Sequence, residues 1–105
     1  MLELLLLINH SRVSLLKTDH ELTIIAEKRA DYLCNHEFSH DRWTEFKSNF
    51  AWRGENLYRG NEDMKSVNER FFNSPKHREI MLNNKYQYIG LGTRCDILVE
   101  EFGGN

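Results

Sequence analysis

The segment SPKHREIMLNNKYQYIGLGTRCDILVEEF, residues 74–102, decides the fold. It opens with a helix start signal, because Ser74 can cap a helix and Pro75 at the first helical position needs no amide donor. A short helix to about residue 84 is predicted to follow. Tyr86–Thr93 and Ile97–Phe102 are strand-like and are separated by an Arg-Cys-Asp turn. They predict an antiparallel hairpin.

The opening run MLELLLLI predicts the buried face of a first helix over residues 2–13. Leu4, Leu5, Ile8 and Arg12 follow helical spacing. The run contains Glu3 and lacks both a basic leader and a small-residue cleavage site, so it does not indicate a signal peptide. It is also shorter than the roughly 20 residues that a transmembrane helix needs, so no transmembrane segment is predicted.

A second helix is predicted from about residue 18 to residue 35. Thr18-Asp19-His20-Glu21 has the capping-box pattern, in which the Thr18 hydroxyl and the Glu21 carboxylate bond free amides reciprocally. The apolar face of this helix contains Leu22, Ile25, Ala26, Ala30 and Leu33.

The middle of the chain has weaker signals. Residues 38–53 are aromatic-rich without periodicity and predict an ordered loop. Glu55–Arg59, between Gly54 and Gly60, is a short strand candidate, and Met64–Asn73 predicts a third helix. Helices mostly precede strands, which favours the α+β class with an antiparallel sheet.

The length of 105 residues, with 40% hydrophobic and 29% charged residues, predicts one globular domain over residues 1–105. The formal net charge is −2 and the charges are interspersed, so no nucleic-acid partner is expected. Cys34 and Cys95 are interpreted as two separate thiols. A disulfide closing a loop of about 60 residues is the alternative.

The histidines differ in their surroundings. His10 and His20 are expected to be solvated. His36 and His40 form the pentad HEFSH, which indicates a metalloprotease only weakly, because no third ligand follows at the expected place. His77 lies near the start of the fourth helix, where the helix dipole favours the neutral ring that binds metals or acts as a base. A structural role for His77 is the alternative.

Glu55 opens a strand that should lie within the sheet, so its carboxylate must be exposed, paired or lining a cavity. His40, His77 and Glu55 together could supply three ligands of a zinc site. Spacing alone does not show that these three side chains converge.

Five segments stand in a recognisable order: LLLLINHSR (4–12), ELTIIAEKRADYL (21–33), FSH (38–40), GENLYRG (54–60) and FFNSPKHREIMLNNKYQYIGLGTRCDILVEEFGG (71–104). The chain resembles the CAP superfamily of cysteine-rich secretory, antigen 5 and pathogenesis-related proteins, in its compact bacterial SCP-like branch. The GEN tripeptide and the SPxHR segment followed by Y-x-x-IGLG are the specific parts of this resemblance.

The resemblance implies a three-layer α-β-α sandwich around a small, roughly three-stranded antiparallel sheet. It also implies a cleft where two histidines and two acidic residues meet. His40, Glu55 and His77 match three of these four, and Gly54 and Asn56 flank Glu55 in the same motif.

The fourth position, a glutamate in many eukaryotic members, falls at Ser74, and Phe71 stands where the family usually has Trp. The loop between His40 and Glu55 is also shorter than usual. The loss of one acid counts against any activity that needs two carboxylates, whereas a two-histidine metal site could survive it.

Three functions are consistent with these residues. The preferred one is a module that binds zinc or another divalent metal through His40 and His77, with Glu55 as a ligand or an orienting group. The second is a metal-assisted hydrolase with Glu55 as the base. The third is a structural domain in which the same three residues form a buried hydrogen-bond network. No organic cofactor is expected.

Peptide and lipid ligands are further candidates. A lipid groove could be built from Trp43, Phe46, Phe50, Trp52, Tyr58 and Phe72, although such aromatic residues more often fill a core. The resemblance implies an extracellular or surface location, while the sequence shows no signal peptide.

Overall fold

The computed structural model describes residues 1–105, and its helices and strands follow the predicted order. The helices are α1 (Leu2–His10), α2 (His20–Cys34), α3 (Met64–Phe72) and α4 (Pro75–Leu82). The strands are β1 (Lys17–Thr18), β2 (Trp52–Arg59), β3 (Tyr88–Arg94) and β4 (Ile97–Gly104). A 3-10 turn, Trp43–Glu45, lies within the segment predicted as a loop.

The strands form one sheet in the order β1-β3-β4-β2. β4 is antiparallel to both β3 and β2, and the short β1 pairs with β3 in parallel. The α+β class is confirmed, with four strands rather than three and one parallel pair. β1 was missed because a strand of two residues is too short to show an alternating pattern.

Helices cover both faces of the sheet, which confirms the three-layer arrangement. On one face α2 packs against β2 and β4 through Ala26, Ala30, Leu33, Leu57, Ile97 and Val99. On the other face the core contains Leu4, Ile8, Leu16, Val67, Phe71, Met81, Tyr86, Ile89, Leu98 and Phe102, drawn from α1, α3, α4 and the sheet. Burial of these side chains is the main force that fixes the layers.

The IGLG segment lets α2 lie directly on β3. A Cβ atom on Gly90 would come within 2.1 Å of the carbonyl carbon of Leu22. Only glycine therefore fits at this point, and the helix backbone is close enough for its side chains to reach β2 and β4.

α1 ends at His10 rather than at residue 13. Leu4 and Ile8 are buried as predicted, whereas Leu2 and Leu6 are 69% and 61% exposed. The run is therefore amphipathic rather than wholly buried. None of the four helices is long and apolar enough to cross a membrane.

Arg12 lies beyond the end of α1 and is buried. Its guanidinium donates to the main-chain oxygens of Met81 and Tyr86 at 2.6 and 2.7 Å. Arg12 is thus buried, as its place in the helical spacing predicted. Its side chain joins the N-terminal segment to the connection between α4 and β3.

Asp19, rather than Thr18, caps α2. The Asp19 carboxylate accepts the amide of Leu22 at 2.9 Å, and Thr18 belongs to β1. Glu21 closes no capping box, because its carboxylate accepts the amide of Asn49 at 3.0 Å. The start of the helix was predicted within two residues because Asp and Thr are both good caps.

Cys34 and Cys95 form a disulfide that joins the end of α2 to the turn between β3 and β4. The prediction of two separate thiols is therefore wrong. The two Cα atoms lie 6.1 Å apart, within the range that a disulfide requires. Spacing could not reveal this pairing, because the contact arises only when α2 packs across the sheet.

Replacing both cysteines, Cys34→Ala with Cys95→Ala, is expected to lower the free energy of unfolding by about 4 kcal/mol, because the open chain regains loop entropy. Urea unfolding of the oxidised protein and the double variant measures this difference. Reduced wild-type protein should unfold near the midpoint of the variant. Equal midpoints for the oxidised protein and the variant would contradict the expectation.

Candidate functional site

Arg29 is a charged residue on the buried face of α2, and it is paired with Glu55 of β2. Nε of Arg29 donates to Glu55 Oε2 at 2.8 Å, and Nη2 donates to Oε1 at 2.9 Å. Their side chains are 0% and 1% exposed. Of the three alternatives for Glu55, the structure therefore selects pairing.

The same guanidinium holds the loop that carries His40. Nη2 of Arg29 donates to Ser39 O and Nη1 to Asp41 O, both at 3.1 Å. His40 lies between these two residues, with Nδ1 3.0 Å from Glu55 Oε1 and its side chain 53% exposed. Arg29 thus positions both the carboxylate and the imidazole that the sequence singled out.

Glu55 is held as an anion. Burial acts to raise its pKa, but hydrogen bonds from His40, Glu101 and Arg29, with the charge of Arg29, outweigh burial and lower the pKa to about 2. A carboxylate that gives up its proton so readily is a weak base.

Glu101 lies directly opposite Glu55, across β4 and β2. It is 0% exposed, and its Oε2 has no hydrogen-bond partner. Arg53 Nη2 lies 3.0 Å from Glu101 Oε1. Burial and the neighbouring Glu55 nevertheless dominate and raise the pKa of Glu101 to about 10, so the proton is on Glu101.

His77 lies in the first turn of α4, half-buried and stacked on Phe71 at 4.9 Å between ring centroids. Its Nδ1 is 2.8 Å from Ser74 Oγ, so the Ser74 side chain serves His77 rather than capping the helix. Burial, and secondly the charge of His40, lower the pKa of His77. Burial thus acts in the same direction as the helix dipole, from which the neutral ring was predicted.

Gly54 and Asn56 connect the site to α4 and its neighbouring segment. A Cβ atom on Gly54 would come within 2.7 Å of the Tyr86 hydroxyl, which donates to Arg53 O. Asn56 Nδ2 donates to His77 O at 3.2 Å. The GEN motif therefore contacts the His40 side of β2 through its glutamate and the His77 side through its asparagine.

The side chains around Glu55 and His77 include potential metal ligands. No group of three or more His, Cys, Asp and Glu side chains is placed to hold one ion, so a closed structural zinc site does not fit. Among the remaining donors, the charge of His40 lowers the pKa of His77. Imidazole suits zinc, copper and nickel, so His40 and His77 are the residues present whose chemistry fits such an ion.

The remaining histidines lie outside the site. His10 and His20 are exposed, as predicted. The His36 ring is stacked on the Tyr32 ring with 3.8 Å between the ring centroids, and His36 Nδ1 donates to Tyr32 O. The HEFSH pentad therefore brings no pair of histidines to one ligand.

The aromatic residues considered for a lipid groove have varied surroundings. Tyr58 packs against the core, and Trp52 and Phe72 are exposed. A cation lies over four of the six rings, with Arg53 on Trp43, Arg29 on Phe46, Lys85 on Trp52 and Arg78 on Phe72. These rings are partners of charged groups more than parts of one apolar surface.

Sequence reasoning missed Arg29, Glu100 and Glu101. Arg29 continues the spacing of Leu22, Ile25 and Ala26, so a charge on an apolar helix face was the available signal. Two consecutive glutamates in a strand covered on both faces were the corresponding signal for Glu100 and Glu101.

Arg29→Met is expected to lower the free energy of unfolding at pH 7 by about 3–5 kcal/mol, because Glu55 would be left as a buried anion without its cation. The low pKa of Glu55 stabilises the fold above pH 4.5, and this contribution is lost as the pH falls toward 2. The effect of the variant should therefore shrink over that range. Urea unfolding at pH 7 and pH 3 measures it.

Arg94→Met is the matched control. Nε of Arg94 lies 3.4 Å from Oδ1 of Asp31, and the two side chains are 66% and 67% exposed. Its loss should cost less than about 1 kcal/mol at either pH. Equal effects of the two variants would show that the Arg29 pair has no special role.

The chain is similar to known proteins in sequence and over its whole fold. The model of the cysteine-rich secretory protein family, CAP, matches residues 9–96. An extracellular SCP-domain protein of Bacillus anthracis has a TM-score of 0.87 at 25% identity, covering 100% of this chain and 40% of that one. A cysteine-rich secretory protein of Staphylococcus aureus has a TM-score of 0.86 at 22% identity, covering 99% and 38%.

An outer surface protein of Borrelia burgdorferi has a TM-score of 0.78 at 25% identity, covering 98% of this chain and 87% of that one. The chain spans about two-fifths of the length of the Bacillus and Staphylococcus proteins. No curated protein sequence matches the chain. With the family model matching residues 9–96 of 105, the chain belongs to the cysteine-rich secretory protein (CAP) family.

Proposed function

We propose that this chain is a binding domain that takes a divalent transition-metal ion through Nε2 of His40 and Nε2 of His77. The observation that supports the proposal is the way the two rings are held. Nδ1 of His40 is hydrogen-bonded to Glu55 and Nδ1 of His77 to Ser74. Each ring thus has an orienting partner, and Nε2 is the nitrogen left for a ligand.

Glu55 acts in this proposal on His40 rather than on the metal. Its two oxygens already accept hydrogen bonds from Arg29. A carboxylate that receives Nδ1–H of a histidine fixes the ring tautomer and makes the opposite nitrogen a better ligand. Bound in this way, a divalent ion would supply a positive charge with open water positions.

The low pKa of Glu55 favours binding over hydrolysis. An efficient general base has a pKa near the working pH, whereas the pKa of Glu55 is about 2. Glu101 provides no second active acid, because it is fully buried and out of reach of a substrate.

An extracellular or surface location is part of the proposal. The Bacillus relative is described as extracellular and the Borrelia relative as an outer surface protein. The disulfide between Cys34 and Cys95 suits an oxidising environment.

Isothermal titration of Zn²⁺ into the protein at pH 7.5 tests the metal site. We expect saturable one-to-one binding that is lost in His40→Ala and in His77→Ala. Glu55→Gln should bind about 10–100-fold more weakly, because the His40 ring loses its charged orienting partner.

His20→Ala is the control, since His20 is exposed and outside the site. It should bind zinc like the wild type. Absence of binding by the folded wild-type protein would reject the metal site. It would leave the network around Arg29 and Glu55 as a structural feature. Binding that survives in His77→Ala would reject the two-histidine arrangement.

A further inference from the structure

Glu100 is buried in β4 without a charged partner. Its exposure is 0%. Its one hydrogen bond comes from Asn56 Nδ2, which lies 3.2 Å from Glu100 Oε1. Burial raises the pKa of Glu100 to about 8, and the hydrogen bond from Asn56 opposes this only in part.

The Glu100–Asn56 pair contains two oxygen atoms that lack a donor. Glu100 Oε2 and Asn56 Oδ1 are both buried and unpartnered, although the two residues stand directly opposite each other in β4 and β2. Two acceptors cannot satisfy each other. A proton on Glu100 Oε2 would donate to Asn56 Oδ1 and close a ring of two hydrogen bonds between acid and amide.

No cation on the surrounding elements compensates an anion at this point. The ionisable side chains of α1, α3 and α4 are all exposed apart from half-buried His77, namely Glu3, His10, Lys65, Glu69, Arg70, Lys76, Arg78 and Glu79. Buried Arg12 donates to main-chain oxygens instead. Tyr58 of β2 is bonded to Glu62, and Tyr86, which precedes β3, is bonded to Arg53 O. An ionised Glu100 would therefore be a buried, unpaired charge, which is costly.

The Asn56 amide links this acid to the candidate site. The second proton of Asn56 Nδ2 is donated to His77 O at 3.2 Å. One amide thus joins β4, β2 and the first turn of α4. If Glu100 lost its proton, Asn56 Oδ1 would face a negative oxygen, and the orientation of the amide would no longer be favoured.

We propose that Glu100 is a neutral carboxylic acid that holds the Asn56 amide and so acts as a positioning residue for His77. The protonation of Glu100 follows from the Glu100–Asn56 pair alone. Its consequence for metal binding rests on the proposed function.

The direct test is carboxyl-carbon NMR of protein labelled with ¹³C at its glutamate side chains, titrated from pH 4 to 10. We expect one resonance, absent from Glu100→Gln, to titrate near the pKa of about 8. The glutamine variant should fold normally, because its amide N–H replaces the acid proton as donor to Asn56. A Glu100 resonance that titrates below pH 6 would overturn the proposal.

Stability gives a second readout. The folded state keeps the Glu100 proton up to about pH 8, whereas the unfolded chain releases it near 4.5. This contribution is therefore fully present below pH 4.5 and is lost as the pH rises through 8. The glutamine variant has no such proton to lose. The difference between its Tm and the Tm of the wild type should therefore increase as the pH rises from 4.5 to 8. A constant difference would contradict a protonated Glu100.

The positioning role is tested with Glu100→Leu, which removes the donor to Asn56. The ring resonances of His77 should shift in this variant, those of His20 should not, and Glu100→Gln should restore the wild-type spectrum. Unchanged His77 resonances in Glu100→Leu would reject the positioning role. If the wild type binds no zinc, the metal site fails, and the carboxyl titration still decides whether Glu100 is protonated.

Discussion

The arrangement of the site depends on the buried ion pair between Arg29 and Glu55. A buried pair is favourable only when its geometry is good and its other donors are satisfied. Arg29 makes two hydrogen bonds to Glu55 and one each to Ser39 O and Asp41 O. One side chain therefore joins α2, the sheet and the His40 loop. These bonds hold the loop against β2 together with the contact between His40 and Glu55.

The two glutamates of β4 extend this arrangement to both faces of the sheet. Glu101 lies on the face of α2, directly opposite Glu55, and Glu100 lies on the face of α4, where it contacts Asn56. Consecutive residues of a strand point to opposite faces. His40 thus contacts the GEN motif through Glu55, and His77 contacts it through Asn56. In β4, Glu101 stands opposite Glu55 and Glu100 stands opposite Asn56.

Most of the fold was predictable because its signals are local. The Ser74-Pro75 helix start, the apolar face of α2 and the β3–β4 hairpin each follow from spacing within one element. β1 and the disulfide were not predictable in this way, since both depend on contacts between distant segments. His40, Glu55 and His77 were found through their motifs. Arg29, Glu100 and Glu101 carry sequence signals of their own, but their partners become visible only when the layers are assembled.

If Arg29 and Glu55 fix the His40 ring, Nδ1 carries the proton and Nε2 is free for a ligand. The tautomer of His40 in ¹⁵N-labelled protein at pH 8, read from long-range ¹H–¹⁵N correlation spectra, tests it most directly. We expect a protonated Nδ1 and an unprotonated Nε2. A His40 ring that carries its proton on Nε2, or that exchanges freely between tautomers, would contradict it.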